Sequence, residues 1–295
     1  MAPISIRGIT KQYGSVLAVH NLSLEAIEGE ILGFLGLNGA GKTTTIRILL
    51  DLLRPNNGQA FLLGYNCQSD GLRARSNIGY LPGEMGIYSD MTGGEVLDLL
   101  AGLSHQTVNK TLRGELQERL DFTDSDLRRS LRQYSTGMKR KLGLIQAFQS
   151  DPQLLILDEP TEGLDPLMQA SFYQLLLDFK KRGRTVFMSS HVLSEVDRAC
   201  DRIALVRKGE IVLLATVEET RKLAARHVRV SFAEDVTVAP IGEVIEIRPR
   251  LWNLKIEGPL GPLVHQLATL PVHDIEVAEP KLEDVIMKYY RGGRQ

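Results

Sequence analysis

The stretch Gly36-Leu37-Asn38-Gly39-Ala40-Gly41-Lys42-Thr43-Thr44 has residue types and spacing suited to phosphate chemistry. It fits G-x-x-x-x-G-K-[ST], in which glycines let backbone N–H groups turn inward around an anion. A following helix adds unpaired N–H groups and the positive end of its dipole. Lys42 would reach the β- and γ-phosphates of a nucleotide, and the Thr43 hydroxyl would ligate Mg²⁺. The bland alternative is a glycine-rich turn that binds nothing. A second candidate is Asp158-Glu159, which closes the apolar run Leu154-Leu155-Ile156-Leu157. Strand tips of this kind are where open α/β sheets bind ligands. Asp158 would be the second acid on Mg²⁺, and Glu159 a carboxylate able to polarise an attacking water.

A third candidate is Tyr134-Ser135-Thr136-Gly137-Met138-Lys139-Arg140-Lys141. Small and hydroxyl residues here open a basic, apolar-periodic helix, with Ser135 and the Gly137 N–H facing outward. That is a second anion-binding helix end. One chain does not need two such ends for one nucleotide, whereas a head-to-tail pair of chains does. Tyr13 could stack on an adenine ring, but on position alone it reads as a surface tyrosine in a turn. His227, His265 and His273 read as ordinary surface or core histidines.

These residues need elements to hold them. Residues 4–9 and 22–27 alternate apolar and polar and predict antiparallel strands around the Tyr13 turn. An apolar strand over 31–35 precedes the glycine loop, and an apolar helix follows it. Residues 59–65 and 78–81 predict further strands. From about 90 to 147 the pattern is helical: Val96, Leu97, Leu99, Leu100 and Leu103 form one apolar stripe, and Leu112, Leu116 and Leu120 recur at four-residue spacing, all read as core packing. The unalternating run before Asp158 fits a strand of a parallel sheet covered on both faces. A helix over 171–182 and a buried strand over 185–189 follow, with His191 just beyond. After a hairpin over 203–214, the charged segment 218–226 predicts a short linking helix. Short strands over 228–232, 244–247, 252–256 and 275–277, with helices over 263–270 and 282–290, predict a small α+β domain.

The chain has 295 residues, 43% apolar and 24% charged, with a net charge of −1. That length suggests roughly two domains. The charge balance gives no reason to expect bulk binding to nucleic acid or anionic lipid. Cys67 and Cys200 lack metal or redox spacing and read as incidental reduced thiols of a cytosolic protein. The N-terminus lacks a signal-peptide core. The longest apolar run, residues 211–217, is far short of the ~20 residues that span a bilayer. Any membrane pore must come from another polypeptide.

Over about residues 4–220 the sequence resembles the ATP-binding cassette (ABC) family, with its motifs in order. Residues 36–43 resemble the Walker A loop, and Tyr134 to Met138 stands where the signature Leu-Ser-Gly-Gly-Gln is expected. Residues 154–159 resemble Walker B with its glutamate, Gly163-Leu164-Asp165 the D-loop, His191 the switch histidine, and Tyr13 the adenine-stacking aromatic. The resemblance implies an α/β P-loop NTPase cassette over residues 1–220: a RecA-like parallel-sheet core, an antiparallel β subdomain and a helical insert at about 90–147. A small C-terminal α+β accessory domain occupies 221–295. It implies ATP and Mg²⁺ as ligands, with Glu159 and His191 catalytic and Thr43 and Asp158 on the metal. Residues 36–44, Tyr13, Ser135, Gly137 and Asp165 would contact nucleotide. Two departures stand out. Thr136 and Met138 replace a signature glycine and glutamine, and the slot for the Q-loop glutamine reads Gly83-Glu84.

Tyr-Ser-x-Gly-Met-Lys-Arg, Gly79-Tyr80-Leu81-Pro82-Gly83-Glu84 and the ending Glu279-Pro280-Lys281-Leu282-Glu283-Asp284-Val285 look like the ATPase subunits of drug- and antibiotic-type exporters, the daunorubicin-resistance kind. That implies a peripheral protein on the cytoplasmic face of the cell membrane, paired with a second cassette as a homodimer. A separate transmembrane permease would be driven, with no nucleic-acid partner. The alternative is a soluble ABC ATPase that remodels ribosomes or DNA. A further alternative is a regulatory ATP binder without turnover.

Overall fold

The computed structural model describes every residue except 85, 87–88, 104–107, 279–280 and 292–295. The first two residues of the Glu279–Val285 motif therefore lie outside the described residues. The chain divides into two compact units, Met1–Leu214 and Ala215–Gln295.

The first unit opens with β1 (Ile4–Tyr13) and β2 (Val16–Glu25), then β3 (Ile31–Leu35), α1 (Lys42–Leu49), β4 (Asn57–Leu62), β5 (Tyr65–Asn66), α2 (Gly71–Arg75) and β6 (Ile78–Leu81). A helical stretch follows: α3 (Gly93–Leu103), α4 (Lys110–Arg119), α5 (Asp124–Leu127) and α6 (Thr136–Phe148). Then come β7 (Leu154–Asp158), α7 (Pro166–Lys181), β8 (Thr185–Ser190), α8 (Leu193–Ala199), β9 (Arg202–Arg207) and β10 (Glu210–Thr216). The second unit holds α9 (Val217–Lys222), β11 (Arg226–Phe232), β12 (Glu243–Arg248), β13 (Leu251–Ile256), α10 (Gly261–Leu267), β14 (Val272–Val277) and α11 (Leu282–Arg291).

Two sheets build the first unit. One has the order β2-β1-β4-β5, the other β10-β9-β3-β8-β7-β6. In the larger sheet β9-β3-β8-β7-β6 run parallel. Every residue of β3, β7 and β8 is buried. This is why these strands carry no polar alternation: both faces are covered. Phe34 and Phe187 pack ring to ring across the β3–β8 pair at 5.2 Å.

Register then does the positioning. Leu35 pairs with Ser190, and Asp158 with Ser189. The residues that leave the sheet next are Gly36, His191 and Glu159. Three segments distant in sequence are thus delivered to one edge by backbone pairing alone, and the Gly36 N–H donates to the Ser190 carbonyl at 3.2 Å.

Four expectations need correction. Tyr13 does not sit in a turn between short strands: β1 runs through it, and the turn is Gly14-Ser15, with Gly14 at φ +55°. Register breaks along β1 hide the strand from a period-two search. The α3 stripe is not all core either. Val96 and Leu97 are buried, but Leu99 and Leu103 are 37% and 68% exposed. The covered face is Gly93, Val96, Leu97 and Ala101, rotated away from Leu99. The helix expected from 171 starts at Pro166, because Asp165 caps it and proline suits the first helical turn. The segment 218–226, expected as a linking helix, is helical only in α9, which ends at Lys222, belongs to the second unit and packs on α11, and Arg226 already opens β11.

Both cysteines are free and buried, and burial, with Asp51 next, pushes the Cys67 thiol up to about 12. Among the described residues no helix is long and apolar enough to cross a membrane. The second unit is a four-stranded sheet, β12-β13-β11-β14, built by antiparallel pairing. One face packs Val228, Val230, Trp252 and Leu254 against Leu263 and Leu267 of α10. Each such side chain contributes roughly 1.5–3 kcal/mol on burial.

Candidate functional site

The glycine loop is held from three sides. Gly41 caps α1 at φ +106°, and a Cβ there would lie 2.5 Å from the Ala18 carbonyl of β2. Only glycine meets both demands. Gly209, in the β9–β10 turn, donates its N–H to the Ala40 carbonyl at 3.0 Å, and His20 of β2 donates to the Gly209 carbonyl at 2.9 Å. The β1–β2 hairpin that carries Tyr13 therefore runs alongside the loop. Tyr13 itself is 46% exposed at the hairpin tip, with the Lys11 ammonium 5.3 Å from its ring centre.

Lys42 is buried, 6% exposed, and its ammonium curls back over the loop. Nζ donates to the Gly36 carbonyl at 2.6 Å and lies 3.2 Å from Glu159 Oε1. The other Glu159 oxygen, Oε2, sits 2.8 Å from His191 Nδ1. A carboxylate only accepts, so Nδ1 carries that proton. Glu159 is thus clamped between Lys42 and His191. Its backbone is at φ +48°, a conformation side chains rarely take. Such strain costs about 1–3 kcal/mol and persists only where neighbours impose it. Here Ser189 Oγ accepts from the Glu159 N–H at 3.1 Å and donates to Asp158 Oδ1 at 2.5 Å.

Asp158, 3% exposed, shares a cleft of about 820 Å³ with Thr43, Arg47, Tyr80, Glu84 and Glu159. Burial, and then the Asp158 charge, raise the Tyr80 hydroxyl above its ordinary value. Among the described residues no three His, Cys, Asp or Glu converge on a metal position. Mg²⁺ beside a polyphosphate needs only one or two protein oxygens, and a hydroxyl with a carboxylate in one cleft suits it. Thr43 and Asp158 fit that role.

Gly83, in the slot for the missing glutamine, lies against Asp158: a Cβ there would stand 3.5 Å from Oδ2. Arg140 fixes this segment. Its buried guanidinium donates to the carbonyls of Pro82, Gly83 and Glu162, at 2.9, 2.7 and 3.2 Å. Burial lowers its pKa. Arg140 ties α6 to both loops that flank Asp158; the sequence marks it only as one charge of the basic helix behind Ser135, because backbone carbonyl partners leave no trace in residue spacing.

Ser135, Gly137 and Asp165 do not join the Lys42–Glu159–His191 group. Ser135 caps α6, its Oγ accepting from the Met138 N–H at 3.2 Å, and is exposed. Gly137 meets the Gly163 carbonyl, which would be 2.9 Å from an added Cβ. The signature segment and the 163–165 loop are therefore packed together. The Asp165 carboxylate caps α7, accepting from the Leu167 and Met168 N–H groups at 3.0 and 2.9 Å. Ser189, Thr161, Ser190 and Glu195 also surround the strand ends, and only their place at a buried strand's polar tip could have drawn notice.

Comparison with known proteins places this geometry. The profile of the family described as "ABC transporter" matches residues 19–162. The chain is 35% identical to the bacitracin transport ATP-binding protein BcrA of Enterococcus faecalis, over 98% of this chain and 97% of that one. It is 30% identical to the daunorubicin resistance ATP-binding protein DrrA3 of Streptomyces coeruleorubidus, over 96% and 94%. An uncharacterized ABC transporter ATP-binding protein of Nostoc sp. is 39% identical over 69% of this chain, and the match spans 61% of that relative's length. A solved ATP-binding subunit of an ABC transporter superposes with TM-score 0.68 at 26% identity, covering 74% of this chain and 92% of that one. A dimeric post-hydrolysis cassette bound to ADP and Pi shares the fold, with TM-score 0.66 at 21% identity over 72% of this chain and 98% of that one.

Proposed function

This chain belongs to the ABC transporter family, and from that premise we propose that it is the ATP-hydrolysing subunit of an exporter of antibiotic-type or lipid-like compounds. It works at the cytoplasmic face of the membrane as a pair of cassettes driving a separate permease. Near end-to-end kinship with proteins named for bacitracin transport and daunorubicin resistance supports the export reading. The observation that carries turnover is the clamp on Glu159, between Lys42 at 3.2 Å and His191 at 2.8 Å.

The mechanism follows from competition for Lys42. A polyphosphate in the glycine loop outbids a single carboxylate for the ammonium. That frees Glu159 Oε1 to accept a proton from water, while His191 keeps Oε2 in place. Thr43 and Asp158 would hold Mg²⁺, which when bound offsets charge on the phosphates. Ser135 and the Gly137 N–H complete the pocket of the opposite chain, so bound ATP draws two copies together and cleavage releases them. Exposed Leu99 and Leu103 of α3 give the helical insert an apolar surface to present to the permease.

Tyr13 stacks on adenine in this reading. Tyr13→Ala is expected to weaken ATP binding by about 1–3 kcal/mol without abolishing it. Equilibrium titration with ATP measures this, and an unchanged affinity contradicts the stacking role. The function as a whole is tested by cross-linking in native membranes and identifying what co-purifies. The expected partner is a protein with several membrane spans; recovery with ribosomal proteins or DNA instead contradicts the transport reading.

A further inference from the structure

Glu195 lies in the first turn of α8, 6% exposed, and plays no part in the chemistry described above. Its two oxygens face two different loops. Oε1 accepts from the Thr161 hydroxyl, two residues past Glu159. Oε2 accepts from the Ser190 hydroxyl at 2.6 Å, one residue before His191. Ser190 Oγ in turn accepts from the Val192 N–H at 2.9 Å, just past His191. Thr161 and Ser190 are themselves buried, at 5% and 0% exposure. Among the described residues these two hydroxyls are the polar partners of Glu195. Burying a carboxylate against two hydroxyls costs more than apolar packing of the same volume. The arrangement therefore contributes position rather than stability.

We infer that Glu195 is a positioning residue for ATP turnover: it bolts the loop after Glu159 to the turn that carries His191 and holds the Glu159–His191 contact. The inference rests on the reading of Glu159 as the base. The 2.8 Å contact joins residues that each lie one step past the end of a separate strand, and the strained Glu159 backbone is outside the register that ends at Asp158. Thr161–Glu195–Ser190 is a second tie across the same gap, on the buried side.

The test uses the full-length chain, with turnover expressed per ATP-binding site counted by equilibrium titration. Displacing a catalytic group by about 1 Å costs up to ~10²-fold in rate, so Glu195→Ala is expected to lower kcat about 10- to 100-fold. ATP affinity and the number of binding sites stay at wild-type values. Glu195→Gln, which keeps a hydrogen-bonding group toward each hydroxyl, restores most of the rate. Thr161→Val, which removes one hydroxyl and keeps the shape, lowers kcat in the same direction and decides the matter alone if Glu195→Ala does not fold. Wild-type turnover per site in Glu195→Ala or in Thr161→Val overturns the inference, as does loss of binding sites in parallel with rate. Glu159→Gln run beside them separates the two levels. If Glu159→Gln is inactive while Glu195→Ala is fully active, only the positioning role fails. If Glu159→Gln itself hydrolyses at the wild-type rate, the base assignment fails and takes the inference with it.

Discussion

Glu159→Gln is expected to bind ATP at least as tightly as the wild type and to hydrolyse it about 10²–10⁴-fold more slowly, the range lost with a general base. The direction of the binding effect follows from the ion pair. Glu159 holds Lys42 at 3.2 Å and competes with phosphate for it. A neutral amide removes that competitor and also removes repulsion toward the γ-phosphate. Its shape still fills the space between Lys42 and His191, so the glycine loop keeps its support. Steady-state phosphate release and an ATP titration on the same preparation check both halves. Rapid hydrolysis would discredit Glu159 as the base, and a large loss of affinity would contradict the competition for Lys42.

Lys42→Ala is expected to have the opposite profile, losing binding rather than chemistry. The ammonium is buried and donates to the Gly36 carbonyl at 2.6 Å, so it is already aimed over the loop. Removing one partner of a desolvated charge pair costs roughly 2–5 kcal/mol. At about 1.4 kcal/mol per tenfold, ATP affinity should fall roughly 30-fold to a few thousandfold. The variant also leaves Glu159, 16% exposed, without its cation. Calorimetric titration with Mg-ATP checks this; an affinity within about threefold of wild type, a difference below 1 kcal/mol, would contradict the assignment.

What the sequence disclosed was local. The glycine loop, its strand and its helix are contiguous, so residues 31–50 read directly as one unit. Buried parallel strands betray themselves by unbroken apolar runs, which is why β3, β7 and β8 were visible. Their register was not. Nothing in the sequence states that Leu35 faces Ser190 or that Asp158 faces Ser189, because strand pairing is decided by the whole sheet. Hence the Lys42–Glu159–His191 contacts, and the strained Glu159 backbone, emerge only from the fold.

Strand edges failed for a different reason: irregular register along β1 breaks the alternation that would have carried that strand to Tyr13. Arg140 and Glu195 escaped because their partners are backbone carbonyls and hydroxyls, which leave no signature in spacing. On α3, leucine counted as core wherever it fell, although Leu103 is 68% exposed. Periodicity shows that a helix has an apolar side but not how much of it a neighbour covers.

In the proposed cycle ATP joins two copies of this chain, each supplying Ser135 and Gly137 to the other's glycine loop. Sedimentation velocity on the Glu159→Gln protein with saturating Mg-ATP tests this pairing. The expected result is a dimer that forms with ATP, persists because turnover is blocked, and is lost when Ser135 and Gly137 are also altered. A protein that remains monomeric under the same conditions, alone and beside its membrane partner, would contradict it.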